Sequence, residues 1–158
     1  MITETAERER LPLSEAAELL VEECRMVLPG IQSLFGFQLV AVFSSSFRQD
    51  LSSFEQRLHL LSVALIAVAI ALIMTPAATH RQMNPCEVTQ PFIRLCTMLL
   101  LLSMVPLAVA LCIDFYLVAR VIVGSGDVAW LAAGLLAVFI ALWFVLPRVF
   151  RANHSLEY

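Results

Sequence analysis

At 158 residues, with 60% hydrophobic content and a mean hydropathy of +0.86, the chain carries more apolar surface than a soluble domain of this size hides, the soluble average being roughly 45–50% apolar. Its net charge of −3 comes from segregated groups, with seven Glu in the first 23 residues and ten basic residues that are all Arg. No phosphate-binding basic patch can be built from them, which excludes a nucleic-acid partner and leaves the lipid bilayer.

Residues 1–12 are charged and aperiodic, and a tail is expected there. From Leu13 the residues Ala17, Leu20, Val21, Cys24, Val27 and Leu28 recur at three- and four-residue steps, opposite Glu15, Glu18, Glu22 and Arg25. This spacing predicts an amphipathic helix over 13–28, with Ser14 as its N-cap. Its polar face is acidic, so packing on protein suits it better than docking on anionic lipid.

Four stretches, 26–47, 58–80, 95–113 and 128–147, contain no Asp, Glu, Arg or Lys, and about 18 such residues suffice for a membrane-spanning helix. The predicted membrane domain covers 26–151, with helices over about 29–47, 58–79, 92–119 and 128–147 and a tail over 152–158. Pro29 should kink the first helix, Pro76 end the second and Pro147 end the fourth. Trp130 and Trp143 stand near opposite ends of the last helix, as interfacial indoles do. The fold expected is all-α, a four-helix transmembrane bundle with an N-terminal cytoplasmic amphipathic helix. Arg8, Arg10, Arg25, Arg81, Arg94, Arg148 and Arg151 fall on one side and Arg48, Arg57 and Arg120 on the other, which predicts both termini in the cytoplasm of a bacterial inner-membrane protein.

The first membrane helix is the most polar, with Gln32, Ser33, Gln38 and the serines from 44 to 46. At 100° per residue Gln38 and Ser45 share a face, and amides in lipid must meet protein or water. They line a polar path or fix the bundle by interhelical hydrogen bonds. Asp114 is an acidic residue inside a long apolar run, a functional candidate by type. Counted from Arg94 it falls about 30 Å along the helix, at the outer interface, where Arg120 or Arg57 could pair with it. His59 and His80 are read as interfacial in the same way. In the last helix Ala129, Ala133, Ala137 and Ala141 form a row beside Gly134; such rows let helices approach closely, within one chain or between chains.

The segments at 28–39 (LPGIQSLFGFQL), 52–65 (SSFEQRLHLLSVAL) and 76–81 (PAATHR) resemble an uncharacterised bacterial family of small four-helix membrane proteins, a domain of unknown function. The resemblance covers roughly 15–150 and implies topology rather than activity; some members carry an automatic sodium/proton antiporter label. Members often have an Arg-rich stretch after the HR pair, where this chain has QMNPCEVTQ.

Enzyme motifs are missing: the sequence contains no GxSxG, HExxH, P-loop or dinucleotide fingerprint. The four Cys show neither CxxC nor zinc-site spacing. No catalytic residue, cofactor or metal ligand is expected, and the chain is read as a non-enzyme. Two functions remain. One is an oligomeric channel or small transporter with the first helix lining its path; the other is a non-catalytic accessory or scaffold subunit of a membrane complex. The scarcity of deep charges weighs against proton-coupled antiport. A homo-oligomer or a membrane-protein partner is expected in either case.

Overall fold

The computed structural model describes residues 12–82, 89–124 and 128–153. Residues 1–11 of the tail expected over 1–12, residues 154–158 of the tail expected over 152–158, and the segments 83–88 and 125–127 lie outside the described residues. Helix α1 runs over Leu13–Ala41, α2 over Ser45–Asp50, α3 over Ser53–Gln82, α4 over Gln90–Val123 and α5 over Ala129–Ile140. A π-helical turn, Ala141–Val145, joins α5 to α6, Leu146–Asn153. The described residues contain no strand.

Among the described residues, three helical stretches are long and apolar enough to cross a membrane: α3, α4 and Ala129–Phe150. Their outer surfaces are as apolar as their interiors, with Ile122 76% and Trp130 70% exposed, as fits a lipid-facing wall. Helix α1, the further crossing expected from the sequence, is not among these three. The apolar part of α1 begins after Arg25 and ends at Ala41, a rise of only about 24 Å against a hydrocarbon core of about 30 Å.

Several boundaries depart from expectation. Pro29 does not divide α1, which is continuous through it, and the residue before α1 is Pro12 rather than a capping Ser14. Pro76 sits inside α3 at a buried position. Beside it the Thr75 hydroxyl donates to the Ala71 carbonyl at 2.8 Å and the Thr79 hydroxyl to the Thr75 carbonyl at 2.9 Å, so both threonines satisfy their hydroxyls within the helix. Pro147 does not end the last helix either. It follows the π-helical turn, a register shift that absorbs the missing donor at 147. The end of α4 is conventional, with Gly124 at φ 69° and its amide on the Arg120 carbonyl at 3.0 Å.

The three helices that pack together share one pattern. On α3 the buried residues Glu55, His59, Ser62, Ile66, Ala69, Ile73 and Pro76 alternate steps of four and three, the spacing of a coiled-coil seam. On α4 buried Cys96, Ser103, Ala110 and Leu117 alternate with half-buried Leu100, Leu107 and Asp114 in the same steps. On α1 buried Ile31 and Gln38 continue a line through Cys24, Leu28 and Phe35. Ile31, Ile66, Ile73 and Ala110 form the apolar centre where the seams meet. Towards the end of the bundle holding the start of α3, the seams turn polar.

Candidate functional site

Where the polar ends of the seams meet, Gln38 of α1, His59 and Ser62 of α3 and Asp114 of α4 form one cluster. The direction of each hydrogen bond follows from the acceptors around it. The Ser62 hydroxyl donates to the Ala110 carbonyl at 3.1 Å, so its oxygen is left to accept from Gln38 Nε2 at 2.8 Å. The same amide nitrogen donates to Asp114 Oδ2. Flipping the Gln38 amide would set its oxygen against a carboxylate, so this orientation is the one the network allows. His59 Nε2 lies 3.1 Å from the Gln38 main-chain carbonyl, which only accepts. Nε2 therefore carries the proton, and Nδ1 of a neutral ring is a bare acceptor.

That accounting leaves acceptors without donors. Gln38 Oε1 and Asp114 Oδ1 are buried with no hydrogen-bond partner among the described residues, and His59 Nδ1 faces Asp114 Oδ1 at 3.9 Å, too far for a direct bond. Each buried unpaired group costs about 1–3 kcal/mol. Gln38 is 5% and His59 7% exposed, so water reaches neither freely. Asp114 lies about two and a half turns before the end of α4, inside the bundle.

Next to it stands a carboxylate in the opposite condition. Glu55, 4% exposed, accepts from the Ser52 amide at 2.8 Å and the Ser52 hydroxyl at 2.6 Å, while Ser52 Oγ accepts from the Glu55 amide at 3.3 Å. This reciprocal pair is a capping box at the start of α3. Arg120 of α4 completes it, Nε to Oε1 at 3.1 Å. Glu55 is satisfied and locked; Asp114 is not.

A cavity of about 370 Å³ opens beside the cluster, between α1 and α4. Gln38, His59 and Asp114 line it together with Leu34, Phe37, Leu117, Val118 and Ile122, and Phe47 and Leu51 line the end near α2. The Phe47 ring meets His59 edge-on at 5.2 Å, and α2 is held there by Ser44, whose hydroxyl accepts from the Phe47 amide at 3.3 Å. A second cavity, of about 520 Å³, lies between the first half of α1 and the opposite ends of α3 and α4, with Arg25, His80 and Arg81 among its lining.

The sequence-predicted residues divide. Gln38 and Asp114 are brought together. Ser45 is not on the face of Gln38, because α1 ends at Ala41 and Ser45 opens α2; Gln32 and Ser45 are both exposed. Arg120 pairs with Glu55, not with Asp114. His59 is buried in the seam, near the start of α3. Ala129, Ala133, Ala137 and Ala141 are all exposed, Ala141 within the π-helical turn, so the row packs on no helix of its own chain. The half-buried residues Leu131, Ala132, Leu135 and Leu136 occupy the other side of α5. Sequence reasoning passed over Ser62 and Glu55. The signal that would have found them is the unbroken four-three stepping from Glu55 to Pro76, with its first three members polar.

Among the described residues no three of His, Cys, Asp and Glu are grouped as metal ligands. Comparison with curated proteins and with solved structures finds no match to either. The sequence model of one family, described as a family of unknown function, matches residues 5–147, and the chain therefore belongs to that family, DUF6328.

Proposed function

We propose that this chain is the subunit of a small membrane transporter whose binding site is the cluster of Gln38, His59, Ser62 and Asp114. The observation that carries the reading is a half-buried carboxylate with one donor, flanked by two further acceptors that lack one. An arrangement that leaves buried acceptors unpaired is a poor way to hold helices together and a good way to hold a proton or a donor-bearing cargo. Ile31, Ile66 and Ile73 close the seam beyond the cluster, which favours a carrier with alternating access over an open channel. Helix α1 contributes Gln38 to the path, not a full lining. The reading assigns no catalytic step to the chain.

The finer topology belongs to the same proposal. With α1 as a fourth crossing, its short apolar part met by local thinning of the bilayer, both termini are cytoplasmic in a bacterial inner membrane, and the exposed alanine row joins copies into a homo-oligomer. Single cysteines at Thr5 and Leu156 should then resist an impermeant thiol reagent in intact cells, and one at Ser53 should react; labelling at either terminus overturns this orientation. For transport itself, purified protein in liposomes should dissipate an imposed pH gradient faster than protein-free liposomes. Asp114→Asn should abolish the excess rate. A wild-type rate equal to that of empty liposomes, with and without candidate cargo, would sink the transporter reading. The exposed alanine row of α5 would then favour an accessory subunit gripping its partner there.

A further inference from the structure

The transported class follows from what the cluster lacks and what surrounds it, and this step rests on the transporter reading. We infer that the site takes a primary ammonium group carried on an apolar body, entering sideways between α1 and α4.

The head group is defined by the acceptors. Gln38 Oε1 and Asp114 Oδ1 are buried and unpaired, and His59 Nδ1, bare in the neutral ring, faces that same carboxylate oxygen. Three acceptors, one of them a carboxylate, match the three N–H donors and single charge of an alkylammonium. Anions find no donor here, because both Gln38 amide hydrogens serve Ser62 and Asp114. Of the other charges at this end of the bundle, Glu55 on α3 and Arg120 on α4 are spent on each other, and Arg57 on α3 and Arg48 and Asp50 on α2 are exposed. The Gln38 side chain is the contribution of α1, and it is uncharged.

The body is defined by the cavity. Its volume of about 370 Å³ falls in the range of small-molecule sites, about 300–1,000 Å³, and the wall it presents is almost wholly apolar, from Leu, Phe, Val, Ile and Ala, with the acceptors of the cluster covered just behind it. Water gains little in such a space. The mouth residues Phe37, Val118 and Ile122 are 74, 56 and 76% exposed on helices whose outer surface is lipid-facing, so an amphiphilic amine reaches the site from the bilayer with its head at Asp114.

The test is calorimetric titration of the purified protein in detergent with 2-phenylethylamine. Three comparison ligands isolate the parts: 2-phenylethanol removes the charge, 2-phenylethyl-trimethylammonium keeps charge and body but removes the N–H donors, and methylammonium removes the body. The amine should bind at least tenfold more tightly than each of them. Asp114→Asn should weaken it at least tenfold. Val118→Trp, a change at an exposed mouth position that leaves the cluster untouched, should do the same by closing the entrance while the melting temperature stays unchanged. Equal binding of the trimethyl compound or of methylammonium overturns the assignment, as does amine binding indifferent to Val118→Trp. Proton flux in liposomes without amine binding would retain the transporter and discard this substrate class. Amine binding without any flux would retain the site and discard the transporter.

Discussion

His59 Nδ1 and Asp114 Oδ1 face each other at 3.9 Å, and the main-chain carbonyl of Gln38 sets what that approach means. By holding Nε2 as the donor, it turns the bare side of the imidazole towards the carboxylate. Two acceptors then share a gap that a proton or a donor group would close. The same carboxylate group is engaged on its other oxygen by Gln38, so the pair is oriented before anything binds.

Asp114→Asn separates a binding site from a structural network. The new amide would accept from Gln38 and donate to His59, closing the gap from within. Detergent melting should show stability unchanged or raised by about 1 kcal/mol, the worth of one added hydrogen bond. Stability and binding often oppose each other at such sites. A clear loss of stability would mean that Asp114 serves the fold.

Arg120→Met should act in the opposite sense. Glu55 would remain buried with only Ser52 to accept from, and an unpaired buried charge is costly. Because Arg120 is 34% exposed, solvent screening reduces the loss, to about 1–2 kcal/mol. Adding Glu55→Gln should recover most of it. The check is a double-mutant cycle of melting temperatures, and additive losses would contradict a direct pair.

Gln38→Leu keeps the side-chain volume roughly constant but removes both donors. Ser62 and Asp114 lose their shared partner, and stability should fall by about 0.6–2 kcal/mol, the range of interhelical hydrogen bonds in membranes. Binding or flux should fall with it. If melting and flux are both unchanged, the amide has no role.

The helices that cross by composition were legible because lipid forbids charge, and α3, α4 and the last helix follow their charge-free runs closely. The prolines misled. A proline inside a membrane helix need not end it: α3 runs on through Pro76, and a register change precedes Pro147. Asp114 was legible as an acidic residue in an apolar run, but its partner was not: its side chain turns into the packed seam beside Gln38 and His59, while Arg120 pairs with Glu55. The pairing of Gln38 with Ser45 failed for a local reason: two residues share a helical face only while the helix lasts, and α1 stops at Ala41. Gln38 itself was legible, since an amide in an apolar helix demands a partner. That the partners would be Ser62 and Asp114 depends on how three seams align, which lies beyond any one segment.

Ala137→Leu tests the outward row of α5. The side chain at 137 is exposed in the single chain, so the folded subunit should melt as before. Light scattering in mild detergent should show a shift to smaller assemblies, because added methylenes hold apart backbones that small residues let meet. An unchanged assembly would assign this face to lipid.

The most direct measurement of the central claim is infrared difference spectroscopy of purified Asp114→Asn against the wild-type protein, reading the carboxyl stretch of Asp114 and the ring modes of His59 together. The account predicts that the substitution changes the carboxyl spectrum and also shifts the His59 ring modes, because the two side chains share one gap, and that Glu55→Gln leaves the His59 modes in place. A carboxyl spectrum or His59 ring modes unchanged by Asp114→Asn would contradict it.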